Sequence, residues 1–226
     1  MLQADASTLA DLKSRLQAAE LERQVFAGVM DRLLVGVLIL DDAGQPVCVT
    51  PAAREMLDQA DGLRLRGTHL HAAGAAEDRD LQQAIRDAIA LARNGSGSSA
   101  RALSVSRPSG LRDLGIVIQA LPAADVAARP SIAIFIRDPE RTVAVENEAL
   151  RHLFGLTPAE AEVARKLAEG LSLEQAAQSL HISRNTARAH LRSIFSKSGI
   201  TRQSDLVRIL LNSAAVLGFG RSLAIP

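Results

Sequence analysis

The sequence contains no tryptophan or tyrosine, one cysteine and five phenylalanines. This shortage of aromatic side chains disfavours a site that stacks on sugars or single-stranded bases. The lone Cys48 cannot form an internal disulfide or a thiolate metal cluster, which fits the reducing cytoplasm. The longest uncharged apolar run, Leu33–Leu40, spans eight residues, whereas a membrane helix needs about 20. We therefore expect a cytoplasmic protein with no membrane partner.

The remaining composition is that of an ordinary globular protein. The chain has 226 residues, of which 47% are hydrophobic and 23% charged, and a formal net charge of +1. Its length allows one large domain or two small ones. Because the net charge is small, any surface that binds a polyanion must be local. The sequence has no nucleophile elbow, Walker loop or Rossmann fingerprint, so we do not expect an enzyme.

Residues 6–33 are predicted to form a helix with apolar residues in a heptad stripe that only Arg23 interrupts. A stripe this narrow favours pairing with another helix, and packing against its own domain is the alternative. We expect residues 1–32 to be a dimerisation helix, with contacts from Leu9, Leu12, Leu16 and Phe26.

The next hundred residues predict an antiparallel sheet with helices. The predicted elements, in chain order, are a hairpin at 33–50, a short helix at 52–59, a small hairpin around Gly67, a helix at 78–93, and strands at 101–107, 113–121 and 131–137. Connectors are expected at 94–99 and 122–130. This order resembles a PAS domain, and the segments Gly36–Val47 and Pro51–Leu57 resemble its opening. The resemblance implies a PAS-like sensor domain at 33–138.

After residue 138 the strand pattern ends and helices take over, which predicts a second domain. We expect a linker at 139–155, a four-helix domain at 156–215 and a tail at 216–226. Thr157 is the predicted cap of the first helix, with Pro158 in its first turn and Glu160 completing a capping box. Ser172 and Ser183 are the predicted caps of the second and third helices. These two helices around His181–Ser183 form a helix-turn-helix unit. His181 stands where glycine is usual, and histidine tolerates a positive φ better than most residues.

The third helix of this domain has two faces. Its apolar side carries Ala187, Leu191, Ile194 and Phe195, and its polar side carries Asn185, Arg188, Ala189, Arg192 and Ser196. Between Arg184 and Arg208 there are six basic residues and one acid, Asp205. Cations suit phosphates, and a slim polar helix reaches base edges in the major groove. The pattern therefore predicts binding to double-stranded DNA.

Residues 156–211 resemble the LuxR-type (GerE-type) helix-turn-helix family. The resemblance is carried by Leu156-Thr-Pro-Ala-Glu160, Ala168-Glu-Gly-Leu-Ser172 and Leu180-His-Ile-Ser-Arg-Asn-Thr-Ala-Arg-Ala-His190. It implies that the third helix enters the major groove of an operator, that Arg188, Ala189 and Arg192 face the bases or adjoining backbone, and that Lys197 binds phosphate from a solvated face. The implied DNA-binding residues are Ser183, Arg184, Asn185, Thr186, Arg188, Ala189, His190, Arg192 and Lys197. It further implies that the fourth helix dimerises, through Val207 and Leu211; packing against the tail at 216–225 is the alternative.

No cofactor is predicted for the first domain, although a small-molecule ligand of unknown identity is compatible with it. The order of elements is wrong for a phosphorylatable receiver, and an acyl-homoserine-lactone pocket would use tryptophan and tyrosine. Cys48 lies in a predicted strand and not in a flavin-adduct motif, so a buried structural role is expected. His69 and His71 share one face of a hairpin and are expected at the surface rather than as haem or metal ligands.

The sequence thus predicts an α+β protein: a PAS-like antiparallel sheet with helices, followed by an all-α helix-turn-helix domain. The predicted function is that of a dimeric, sequence-specific transcription regulator whose PAS-like domain modulates operator binding. The expected partners are double-stranded DNA and a second copy of the chain, with RNA polymerase as a further candidate. The alternative is a PAS-like protein-interaction adaptor whose helical domain binds DNA only weakly.

Overall fold

The computed structural model describes residues 2–94, 99–121 and 131–217, with the side chains of residues 2–10, 131 and 217 excepted. These residues form two compact units, Met1–Arg141 and Thr142–Pro226. The predicted connectors at 94–99 and 122–130 and the tail at 216–226 lie mostly outside the described residues.

The first unit is an antiparallel sheet with helices. Its elements are α1 (Leu2–Arg32), β1 (Val35–Leu40), β2 (Pro46–Val49), α2 (Pro51–Gln59), β3 (Leu63–Arg66), β4 (His69–Ala72), α3 (Ala75–Arg93), β5 (Ala100–Val105), β6 (Leu114–Leu121) and β7 (Ser131–Arg137). Five strands pair in the order β2-β1-β7-β6-β5, and β3 and β4 form a separate hairpin. The predicted sheet and helices are confirmed.

The core of the first unit lies on one face of the five-stranded sheet. Alternate residues of β1 and β6 are buried because successive side chains of a strand point to opposite faces. The helices α2 and α3 supply the apolar residues that cover this face, including Met56, Leu81 and Ile85. A hydrophobic face of a sheet and the apolar stripes of two helices therefore share a single core.

Several element boundaries of the first unit differ from the sequence prediction: α1 begins at Leu2 rather than residue 6, β5 spans Ala100–Val105 rather than 101–107, and the starts of β1 and α3 also shift. Strand β1 begins at Val35 rather than Leu33, because Leu34 takes a positive φ of 55° and ends the preceding helical turn. Helix α3 begins at Ala75 rather than Asp78, with Gly74 as its N-cap. The extended backbone at Gly74 sets the start of this helix, and the helical period of the apolar residues from Leu81 onward does not reveal it.

Helix α1 leaves much of its apolar stripe uncovered within the first unit. Leu12, Leu16 and Phe26 are 63%, 71% and 58% exposed. These three side chains therefore do not pack against their own domain, which was the alternative considered from the sequence. The side chain of Leu9 lies outside the described part of the chain.

The second unit is helical throughout its described residues. It comprises α4 (Asn147–Phe154), α5 (Pro158–Ala168), α6 (Leu173–Ser179), α7 (Arg184–Ser198), α8 (Gln203–Leu211) and a short 3₁₀ helix (Ala214–Leu217). Helix α4 lies in the stretch predicted as a linker. Helix α8 ends at Leu211 rather than near Ala215, and the chain continues into the 3₁₀ helix.

Two features are absent from the part of the chain that the structure describes. No helix there combines the length and apolar character needed to cross a membrane. Among the same residues, no group of three or more histidine, cysteine, aspartate or glutamate side chains is placed to hold a metal ion. His71 instead contacts Asp78, with 3.1 Å between His71 Nδ1 and Asp78 Oδ2, His69 is exposed, and Cys48 in β2 is half-buried.

Candidate nucleic-acid interface

Capping side chains define the starts of the helices that build the candidate interface. Thr157 Oγ1 accepts a hydrogen bond from the backbone N–H of Glu160, and Glu160 Oε2 accepts one from the backbone N–H of Thr157. Ser172 and Gln175 form the same reciprocal pair at the start of α6. Ser183 Oγ accepts from the backbone N–H of Thr186 at 3.0 Å and caps α7. All three predicted caps are confirmed, and each satisfies an N–H that the helix itself leaves unpaired.

A tight turn joins α6 to α7. His181 takes a positive φ of 54°, as its place in the sequence predicts. The backbone N–H of Ile182 donates to the carbonyl oxygen of Ala177 at 3.0 Å, which closes the end of α6. Ala177 is buried, and its small side chain lets the two helices approach closely. The turn fixes the direction in which α7 leaves α6.

Helix α7 has one buried side and one exposed side. Ala187 and Ile194 are fully buried, and Leu191 and Phe195 are half-buried, so the predicted apolar side packs into the domain. The opposite side is exposed along its whole length; we call it the α7 polar face, formed by Arg184, Asn185, Arg188, Ala189, Arg192 and Ser196.

The arginines of the α7 polar face carry uncompensated charge. Within the described residues, no carboxylate lies within ion-pair distance of Arg184, Arg188 or Arg192. Elsewhere in the unit several cations have carboxylate partners: Arg165 pairs with Glu162 and Glu169, Lys166 pairs with Glu169, and Arg208 pairs with Asp205. Local positive charge is therefore concentrated on α7, although the net charge of the chain is only +1.

Three further predicted site residues lie at the cap of α7 or in the first half of this helix. Ser183 and Thr186 are both exposed, and 2.8 Å separates their hydroxyl oxygens, so Thr186 supports the capped turn. His190 is half-buried, between the polar and apolar sides of the helix. All the predicted residues from Ser183 to Arg192 thus belong to α7 or its cap.

Lys197 has a buried acidic partner, unlike the arginines of the α7 polar face. Its Nζ donates to Glu160 Oε2 at 2.6 Å, and Ser193 Oγ donates to Glu160 Oε1 at 2.7 Å. Glu160 lies on α5 and is only 5% exposed. Lys197 therefore ties α7 to α5 while its side chain keeps 34% exposure, and its contact with phosphate stays a prediction.

The surroundings of Glu160 favour the ionised form of its carboxyl group. Burial by itself would raise its pKa, but the hydrogen bonds from Lys197, the backbone of Thr157 and Ser193 lower the pKa from 4.5 to about 2. Three donors therefore converge on the two carboxylate oxygens: the backbone N–H of Thr157 and Lys197 Nζ donate to Oε2, and Ser193 Oγ donates to Oε1. This group holds the orientation of α7 relative to α5.

Sequence reasoning identified Glu160 only as a capping residue and missed Ser193. A capping box uses one carboxylate oxygen, so the second oxygen of a buried glutamate remains available for another donor. The spacing of serine and lysine at Ser193 and Lys197, one turn apart, was the only signal in the sequence for that donor.

The two predicted dimerisation residues of α8 differ in exposure. Leu206 and Leu210 are fully buried and form the inner side of the helix. Val207 is half-buried and Leu211 is 38% exposed, so part of a second apolar stripe faces solvent. The alternative to dimerisation was that the tail at 216–225 packs against this stripe. Most of that tail lies outside the described residues.

Comparison with known proteins identifies the helical unit. Residues 155–210 match the model of the family described as bacterial regulatory proteins, luxR family (GerE). No curated protein matched the chain significantly.

Several solved structures are similar to the chain at low sequence identity. The phage VqmA–DPO complex covers 88% of this chain and 91% of its own, with 17% identity and a TM-score of 0.37. A VqmA–ligand–DNA complex from Vibrio cholerae covers 83% and 86%, with 18% identity and a TM-score of 0.34. The sensor region of a sensor histidine kinase covers 46% and 38%, with 19% identity and a TM-score of 0.33. With its two capped helices around a tight turn and its match to the family model, the chain carries at residues 155–210 a helix-turn-helix domain of the luxR family of bacterial regulatory proteins.

Proposed function

We propose that this protein is a dimeric, sequence-specific DNA-binding transcription regulator whose N-terminal unit modulates operator binding. The observation that carries the proposal is the α7 polar face, which presents three arginines without carboxylate partners among the described residues. Charge of this kind attracts the phosphate backbone, and the salt dependence of binding follows from the release of counterions.

The α7 polar face suits a major groove in shape as well as charge. Arg188 and Arg192 lie one helical turn apart, and the small Ala189 between them permits close approach to base edges. An arginine can contact a guanine through two hydrogen bonds, which lysine cannot reproduce. We assign base contact to Arg188 and Arg192, and positioning on the backbone to Arg184, Asn185 and the cap residues.

Dimerisation is assigned to α1, with α8 as a second contact. The exposed leucines of α1 recur at heptad spacing, which is the arrangement that two like helices bury against each other. A pair of helix-turn-helix domains held by such a dimer reads two half-sites of an operator. A signal acting on the N-terminal unit would change how the two domains are held, and thereby the affinity for the operator.

The compartment and the further partners follow from this function. A protein that controls transcription in a bacterium acts in the cytoplasm, and RNA polymerase is a further candidate partner.

Selection from a randomised duplex library tests the proposal directly. The full chain is incubated with the library, bound DNA is recovered over several rounds, and the recovered DNA is sequenced. We expect one enriched motif, and we expect the double variant Arg188→Ala, Arg192→Ala to enrich none. Arg151→Ala is the matched control, because Arg151 is an exposed arginine on α4. Recovery of DNA without a shared motif by the wild type would support the adaptor alternative instead.

A further inference from the structure

A groove outside the helix-turn-helix domain has the character of a small-molecule site. It lies in the first unit, between the turn that joins β1 to β2, strand β4 and the outer part of α3, and has a volume of about 290 Å³. Leu70 and Ile85 are buried and Ile89 is partly buried, and these three side chains give the groove an apolar floor. Such an apolar floor with polar groups at its rim is the usual composition of a ligand pocket.

The rim of this groove is held in place by hydrogen bonds. Arg93 Nη2 donates to the carbonyl oxygen of Asp42 at 2.9 Å, and this contact ties the last turn of α3 to the β1–β2 turn. Gln82 Nε2 donates to the carbonyl oxygen of Leu70 at 2.7 Å, which fixes α3 against β4. The two walls of the groove are therefore joined at both ends.

The charge at the rim favours an anion. Arg93 is balanced by the carboxylate of Asp42, whose Oδ2 lies 3.8 Å from Arg93 Nη2. Arg86 is different: its Nη2 donates to the neutral Gln83 Oε1 at 2.7 Å, and no carboxylate lies within ion-pair distance of it in the described part of the chain. One cation at the rim of the groove therefore remains without an opposite charge.

We propose that this groove binds a small organic anion with an apolar body, of the size of a short-chain monocarboxylate. The carboxylate would pair with Arg86 at the rim, and the apolar body would cover Leu70, Ile85 and Ile89. The volume lies just below the usual range for ligand pockets, about 300–1,000 Å³, which suits a small ligand better than a nucleotide or a larger cofactor. The binding does not depend on the proposed DNA-binding function, and its test uses no DNA.

Titration of the full chain with three probes, followed by amide shifts in two-dimensional NMR spectra, tests this proposal. Hexanoate combines charge and apolar body, acetate has the charge alone, and 1-hexanol has the apolar body alone. Sodium chloride at matched concentration serves as the blank. We expect saturable shifts for hexanoate within residues 42–44, 69–70 and 82–93. 1-Hexanol should bind at least about threefold more weakly, the difference that one exposed charge pair provides, and acetate should also bind more weakly because it lacks the apolar body.

Two variants separate binding in the groove from general attraction to the surface. Arg86→Gln should weaken hexanoate binding by about threefold or more, since it removes the unpaired cation. Arg54→Gln, at an exposed arginine of α2 outside the groove, should leave the affinity unchanged. Non-saturable or scattered shifts, equal binding of 1-hexanol or acetate, or an Arg86→Gln variant that binds hexanoate like the wild type would each overturn the proposal. The dispersion of the free spectra controls for folding.

Discussion

At the scale of single residues, a buried arginine holds three segments of the first unit together. Arg107 Nε lies 2.7 Å from Asp61 Oδ2, and Arg107 Nη1 lies 3.0 Å from Asp138 Oδ1. The side chains of Arg107 and Asp138 are only 5% and 6% exposed. Their separation in the sequence gives no hint of the contact, which forms only once β7 and the loop before β6 lie side by side.

Substitution Arg107→Met should strongly destabilise the first unit. It would leave Asp138 buried without its counter-ion, a loss that costs about 3 kcal/mol in the free energy of unfolding. The measurement is urea unfolding followed by far-UV circular dichroism, with hydrogen exchange of β5–β7 peptides to locate the loss. The control is Arg112→Met, because Arg112 forms an exposed pair with Glu140 and such pairs contribute little. Equal stability of the two variants would contradict this role.

Glu160 makes the stability of the second unit depend on pH. Its folded pKa of about 2 lies below the ordinary 4.5, so its stabilising contribution is complete above about pH 5 and is lost as the pH falls toward 2. We expect Glu160→Gln to lower the free energy of unfolding at pH 7 on the order of 2–3 kcal/mol, with the deficit shrinking toward pH 3.

Urea titrations at several pH values between 7 and 3, followed by circular dichroism, measure this dependence. Glu174→Gln is the control, since Glu174 is exposed at the start of α6. A deficit for Glu160→Gln that stays constant over this pH range would show that the carboxylate charge does not hold α7.

At the scale of elements, helix α2 packs directly on strand β1. A Cβ added to Gly36 would lie 2.9 Å from the Cα of Ala53, a backbone atom that cannot move without shifting the helix. Substitution Gly36→Ala should therefore destabilise the first unit by about 1–3 kcal/mol, the usual cost of overpacking. In β6, a Cβ at Gly115 would meet only the carbonyl oxygen of Arg137 at 3.9 Å. Thermal unfolding should show Gly115→Ala close to wild type, and a Gly36→Ala variant equally stable would refute the close contact.

Helix α1 should determine the oligomeric state. Glutamates at positions 12 and 16 would place charge in the centre of the apolar stripe, so Leu12→Glu with Leu16→Glu should weaken the dimer. The matched control places two glutamates on another side of the same helix, Ser14→Glu with Ala18→Glu. Light scattering at low micromolar concentration checks the mass. A dimer that survives the first pair of substitutions unchanged would assign dimerisation to another surface, such as α8.

Short-range sequence patterns predicted most of the helices and strands. The differences between prediction and structure concern features that those patterns do not encode. The capping residues Thr157, Ser172 and Ser183 satisfy N–H groups within one turn, so their role is visible in the sequence. The start of β1 was misplaced because Leu33 and Leu34 are apolar like the strand that follows, and only the positive φ of Leu34 separates them. The exposure of the α1 leucines could not be predicted, since a heptad stripe looks the same whether or not its own domain covers it.

At the scale of the whole molecule, function depends on where charge is left unpaired. The chain is almost neutral, and in the described residues of the second unit Arg165 and Arg208 have carboxylate partners, whereas the three arginines of the α7 polar face have none. The position of the α7 polar face could be predicted because its periodicity is local. The ion pair between Lys197 and Glu160 could not be predicted, because the two residues are 37 positions apart in the sequence.

The central claim is that the α7 polar face reads DNA sequence, and one titration tests it most directly. The full chain and its Arg188→Ala and Arg151→Ala variants are titrated against the selected duplex and a scrambled duplex at several salt concentrations, with circular dichroism to confirm folding. We predict that Arg188→Ala loses about 1–3 kcal/mol of the preference for the selected duplex, while Arg151→Ala keeps it. If folded Arg188→Ala retained the preference of the wild type for the selected duplex, Arg188 would not read the operator and the account of α7 would be contradicted.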